Sequence, residues 1–118
     1  EHLDPAGVHS GDSIALFPDF SLSPREKDEM LRIVSCLSEV LNVKGLFNVQ
    51  FVRHDDKLYV IEANPRASRT VPIASKLAEI PMIDLAVGIA LGESLKGAGY
   101  GLGILDYKGP MGVKVPVF

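Results

Sequence analysis

Apolar residues return at helical spacing between Met30 and Leu41, and at two-residue spacing on either side of the charged stretch Arg53–Lys57. Met30, Val34, Leu37 and Leu41 fall on one face of a 3.6-residue repeat, which predicts an amphipathic helix with that stripe against the core. Ahead of the stripe, Ser23-Pro24-Arg25-Glu26 forms a capping box with Pro at the first helical position, where its missing N–H has no intrahelical role. Asn42 is a suitable stop after about Leu41, because a short amide tolerates the left-handed backbone that ends a helix. The period then changes. Gly45 to Val52, "GLFNVQFV", and Leu58 to Asn64 read as two strands, with "RHDDK" (Arg53 to Lys57) as the turn of a β-hairpin. A short helix is expected from about Val71 to Ala78. Another opens at Pro81 and ends near Leu91, with Gly92 as its stop. Residues 1–20 read as loop and short strand. Six glycines between Gly97 and Gly112 predict a loop with one short strand, and "VKVPVF" a terminal strand. The fold class is α+β, an antiparallel sheet with packed helices.

Composition narrows the field. Apolar residues at 47% and charged residues at 23% are ordinary for a soluble globular chain. A net charge of −3 with scattered basic residues argues against a nucleic-acid partner. No apolar run approaches the roughly 20 residues of a membrane helix, and no signal-peptide pattern opens the chain. Cys36 stands alone, so no internal disulfide is possible and a reducing cytoplasm is the expected compartment. It reads as a small, buried or half-buried helix residue. The chain opens "EHLDPAG" without Met and stops in a strand-like run, which is expected of a piece cut from a longer polypeptide.

The chemistry gathers in the hairpin. Residues two apart in a strand share a face, so Asn48 and Gln50 point one way on the first strand, and Glu62 and Asn64 share a face on the second. Val49, Phe51, Ile61 and Ala63 take the apolar side. Gln50 and Glu62 come to one face only with an odd-length loop, such as His54-Asp55-Asp56 with Asp56 left-handed and a bulge after it. A two-residue Asp55-Asp56 turn is expected to put them on opposite faces. One carboxylate and two amides are too weak a set for a dedicated calcium cage. They suit Mg²⁺, which shares its shell with phosphates. Arg66 and Arg69, just beyond, offer positive charge for a transferring phosphoryl group. The plainer reading is a solvated strand face followed by surface arginines. A second cluster, "GVHSGDS" from Gly7 to Ser13, is turn-rich and dense in groups that bind ligands or bond their own backbone. His54 reads as a solvated turn residue.

"NVQF" followed by "YVIEANPRASRTVPIASK", with "GVHSGDS" upstream, resembles the metal-binding hairpin of ATP-grasp enzymes, and more narrowly the large-subunit family of carbamoyl-phosphate synthases. The resemblance covers nearly the whole chain. "VHSGDS" and "RTVP" are more similar to that subunit's second ATP-grasp half, which phosphorylates carbamate, than to the first, which phosphorylates bicarbonate. It implies the C-terminal subdomain of an ATP-grasp fold, with residues 1–96 carrying the hairpin and 97–118 a Gly-rich connection and a strand that completes the subdomain. It implies ATP, Mg²⁺ (or Mn²⁺) and K⁺ as cofactors. Gln50, Glu62 and Asn64 match metal ligands, Gln50 and Glu62 lying also near the phosphates. Gly7, Val8, His9 and Ser10 match a nucleotide-contacting segment. Arg66 and Arg69 match arginines that hold phosphate or carbamate, and are the expected catalytic pair. His2, Asp4, Val8 and Ser13 match a potassium site, with Asp4 where the family carries Glu and Pro5 an unusual neighbour. The implied partners are the remainder of the large subunit and a glutaminase small subunit, in pyrimidine and arginine synthesis. The family's glycine-rich phosphate loop belongs upstream of Glu1; "GAGYGLG" lacks the preceding strand and following helix of such a loop.

Two other readings stand beside this one. Another ATP-grasp carboxylate ligase would carry a similar hairpin; biotin-carboxylase-like enzymes share E-x-N-x-R but follow it with Val-Glu-His, which "RASRTVP" lacks. A non-catalytic scaffold subdomain is the other. The isolated chain is expected to be inactive, because it holds one wall of a cleft.

Overall fold

The computed structural model describes residues 1–9 and 12–117. Seven elements follow in order: β1 (Ala15–Phe17), α1 (Pro24–Val40), β2 (Asn48–His54), β3 (Lys57–Asn64), α2 (Val71–Ala78), α3 (Met82–Ala90) and β4 (Gly112–Lys114). The class is α+β, as expected, but the strands form two separate antiparallel pairs, β1–β4 and β2–β3, not one sheet.

Local chemistry explains the helices. Ser23 caps α1 in a complete box: its hydroxyl accepts from the Glu26 N–H at 3.3 Å while the Glu26 carboxylate accepts from the Ser23 N–H at 2.7 Å. Those bonds satisfy donors that the first turn otherwise leaves open. Asn42, at φ +49°, ends the helix as expected. Its N–H reaches the Glu39 carbonyl at 3.1 Å, and the Val43 N–H reaches Ser38 at 2.9 Å. Gly92, at φ +102°, ends α3 the same way through Ile89 and Gly88. α2 ends on Glu79 at φ +55°, a left-handed position occupied by a non-glycine residue. The Ser75 hydroxyl donates to the Ile80 carbonyl and accepts from the Met82 N–H, so one side chain sets the corner between α2 and α3.

β1 and β4 join positions far apart in sequence, Ala15 opposite Lys114 and Phe17 opposite Gly112. Residues 1–3 run beside β1, with the Leu3 N–H on the Ile14 carbonyl at 3.0 Å and the Leu16 N–H on Glu1 at 2.7 Å. The Gly97–Met111 stretch contains no strand; it is held to β1 by Tyr107, edge-on to Phe17 at 5.0 Å.

Two expectations about packing need correction. Among the described residues only Ser13, Ala15 and Gly88 are buried. The Met30–Leu41 stripe is therefore not a closed core: Met30, Val34 and Leu37 are half-buried and Leu41 is exposed. Met30, Leu31 and Val34 line an open groove of about 320 Å³ with Leu22 and Ile104, where a closed core would need a packed layer. Cys36 is exposed, on the outer side of α1. Ile83, Val87 and Leu91 make a further uncovered apolar ridge, one helical turn apart.

Candidate active site

The hairpin places its polar set on one face, by a route the sequence reading did not anticipate. The turn has two residues, Asp55 and Asp56, at φ +48° and +56°, closed by His54 opposite Lys57. Left-handed backbone at both centres is the turn that matches strand twist. A ladder counted straight from it would set Gln50 opposite Ile61 and send Glu62 to the other face. The register shifts between Phe51, which pairs with Val60, and Gln50, which pairs with Glu62. Ile61 is the extra residue of a β-bulge, and the bulge restores the alignment. The expected three-residue loop is thus replaced by a two-residue turn with a bulge five residues further on. Asn48 then lies opposite Asn64, so Asn48, Gln50, Glu62 and Asn64 share one face. The strands also run closer to the turn than expected, through His54 and from Lys57.

Within this set, the Asn64 side-chain N–H donates to Glu62 Oε1. That leaves Glu62 Oε2 and Asn64 Oδ1 as open acceptors. Gln50 is held across from them by the ladder. Glu62 is exposed and Gln50 and Asn64 are half-buried, so the face is reachable. The donor set is hard oxygen and carries one formal charge, which fits a magnesium ion arriving with phosphate oxygens. No cluster of three His, Cys, Asp or Glu side chains that could cage a metal occurs among the described residues.

Among the described residues neither arginine bonds to the hairpin set. The Arg66 guanidinium folds onto the neighbouring Ala67 carbonyl at 2.9 Å. Arg69 pairs instead with Asp12, a residue the sequence reading passed over. The hint was an acid within "GVHSGDS", but its partner lies 57 positions away. Arg69 sits in a turn shaped by the Ser68 and Thr70 hydroxyls, 2.7 Å apart, and by the Val71 N–H on the Ser68 carbonyl at 3.1 Å.

In the first cluster, Gly7 takes φ +84° and the Val8 N–H bonds the Pro5 carbonyl at 3.3 Å. Val8 and His9 are exposed; Ser10 lies outside the described residues. The His9 carbonyl accepts from the Ser13 hydroxyl and from the Asp12 N–H, the latter at 3.2 Å. Of the positions expected to hold potassium, Ser13 is buried on that bond, and Asp4 uses Oδ2 to accept from the Ile14 N–H at 2.8 Å. Burial, first, and the nearby Lys114 lower the His2 imidazole from its ordinary pKa.

Residues 1–98 match the family described as Carbamoyl-phosphate synthase L chain, ATP binding domain. The chain belongs to that family. Curated carbamoyl phosphate synthase large chains align along its whole length: that of Clostridium perfringens at 51% identity, of Thermoanaerobacter sp. at 49% and of Agathobacter rectalis at 45%. The chain spans 11% of the length of each of them. As a piece of this L-chain ATP-binding domain, it brings the hairpin oxygens into one set and ties Arg69 to the Gly7–Ser13 stretch, two features that both lie within the matched residues. No helix among the described residues is long and apolar enough to cross a membrane.

Proposed function

We propose that this chain is part of the ATP-grasp domain that phosphorylates carbamate to carbamoyl phosphate, and that its hairpin face is the metal-binding wall of that site. The observation that carries the reading is the bulge-restored register, which sets Gln50 directly across from Glu62 with Asn64 bonded to Glu62. A bulge that re-aims side chains is a common device beside active sites. Residues 1–96 form the part of the subdomain bearing the hairpin. Residues 97–118 are its Gly-rich connection and closing strand, and the pairing of Ala15 with Lys114 supports that division of labour.

In this reading Gln50, Glu62 and Asn64 offer the oxygens that hold Mg²⁺ (or Mn²⁺). Such an ion, when bound with ATP, would supply positive charge to offset that on the phosphate oxygens. Glu62 contributes the formal anion of the set. Arg66 and Arg69 supply N–H donors beyond the hairpin for phosphate or carbamate oxygens; Arg66 needs only a rotamer change to leave the Ala67 carbonyl. Gly7, Val8, His9 and Ser10 border the nucleotide. His2, Asp4, Val8 and Ser13 are the candidates around K⁺; the free oxygen of Asp4 favours this, while Ser13 is committed to the His9 carbonyl. The parent enzyme is cytoplasmic, receives ammonia from a glutaminase small subunit and serves pyrimidine and arginine synthesis.

The test is Glu62→Gln in the full-length large chain. The like-sized amide keeps the shape and an acceptor for Asn64 while removing the charge. Ammonia-driven carbamoyl phosphate synthesis should fall on the order of 10²-fold or more, with bicarbonate-dependent ATPase largely retained. Both rates near wild type at saturating Mg²⁺ would remove Glu62 from the metal site.

A further inference from the structure

We propose that Asp12 is a positioning residue for Arg69: its carboxylate holds the guanidinium in place at the exit of β3. This rests on the reading of Arg69 as a group that holds an anionic ligand.

Arg69 Nη1 donates to Asp12 Oδ1, joining the Gly7–Ser13 stretch to the segment that follows β3. Both side chains are well exposed, at 69% and 63%. An exposed pair adds little to fold stability. What it does here is fix a direction, because the residues at both ends are tied down by hydrogen bonds of their own. On one side, the Asp12 N–H and the buried Ser13 hydroxyl converge on the His9 carbonyl. On the other, the Thr70 N–H reaches the Ser68 hydroxyl at 3.4 Å and the Val71 N–H reaches the Ser68 carbonyl. Those bonds alone leave the long Arg69 side chain free to rotate. The pair removes that freedom and uses one of the five guanidinium N–H groups, leaving the others for an anion.

Arg66 makes the contrast. Its partner is the next residue's carbonyl, and no carboxylate among the described residues pairs with it. The two arginines are therefore not equivalent: Arg69 is placed by a distant part of the chain, and Arg66 is not.

The experiment uses the full-length large chain with Asp12→Ala, Asp12→Asn, Arg69→Ala and the Asp12→Ala/Arg69→Ala double variant. It reads kcat and the KM for ATP in ammonia-driven carbamoyl phosphate synthesis, and hydrogen exchange of residues 66–70 without ligand. Asp12→Ala should lower kcat about tenfold with KM changed less than about twofold, as expected when a catalytic group is misplaced and not removed. Asp12→Asn keeps an acceptor oxygen and should recover most of the rate. In the double variant the Asp12 change should add less than about twofold to the loss in Arg69→Ala, because coupled residues are not additive. Exchange at 66–70 should quicken in Asp12→Ala. Wild-type kinetics in Asp12→Ala beside a collapsed Arg69→Ala would overturn the positioning role and leave the proposed function standing. Losses that multiply, or unchanged exchange in Asp12→Ala, would overturn it too. A fully active Arg69→Ala would instead overturn the reading of Arg69 on which it rests.

Discussion

Replacing Asp56 probes the geometry on which the hairpin face depends. Asp55 and Asp56 both occupy left-handed backbone, at φ +48° and +56°. That conformation costs an ordinary L-residue about 1–2 kcal/mol. Asp offsets part of it through its short polar side chain, and glycine escapes it, losing roughly 0.5–1 kcal/mol to the greater freedom of the unfolded chain. Asp56→Gly should therefore stabilise the hairpin by about 0.5 kcal/mol and give the Asp-Gly pair that such turns favour. Asp56→Ala should cost about 0.5–1 kcal/mol, and Asp56→Val about 1–2 kcal/mol, since a β-branched residue fits that region worst. Native-state hydrogen exchange of the β2 and β3 amides reads these differences. With about 1.4 kcal/mol per tenfold, Gly should slow exchange about twofold, Ala should quicken it roughly two- to fivefold and Val more. Equal exchange in the Gly and Ala variants would mean that residue 56 is not held at positive φ. The two-residue turn would then be wrong, and with it the register that brings Glu62 opposite Gln50.

Two further outcomes test the packing around the site. The Ser23 N–H, the Ser23 hydroxyl and the Arg53 guanidinium, in that order, hold the Glu26 carboxyl below its ordinary pKa of 4.5. The unfolded chain then binds the proton first, so the stability this group lends to α1 is full above about pH 4.5 and is lost as pH falls through the folded-state value. Glu26→Gln keeps the capping box and should flatten that part of the acid limb in helix circular dichroism; an unchanged acid limb would count against the assignment. A Cβ added at Gly112 would overlap the tip of the half-buried Leu77 side chain, which can turn aside, so Gly112→Ala should cost up to about 1 kcal/mol in unfolding, and less when Leu77 is also alanine. An equal cost in both backgrounds would deny the contact between α2 and β4.

Much of the local structure was legible in the residues. The Ser23–Glu26 box and the stops at Asn42 and Gly92 follow from short-range chemistry: a side chain that meets a backbone donor three positions away, and residues that accept the left-handed backbone ending a helix. The alternation of Asn48, Gln50, Glu62 and Asn64 was legible for the same reason. That both strands turn these residues to one face was not: it depends on a turn of two residues and a bulge at Ile61 whose effects on register cancel, and no residue pattern within either strand specifies that count. Asp12 and Arg69, 57 positions apart, met only through tertiary structure, as did Ala15 and Lys114. Periodicity marked the Met30–Leu41 stripe as apolar, but periodicity only says which side of a helix avoids water. Whether another layer covers that side is decided by the chain packed against it, and here the groove beside α1 stays open. Spacing along the chain settles what a residue can bond nearby; only the folded arrangement settles which distant residue it meets.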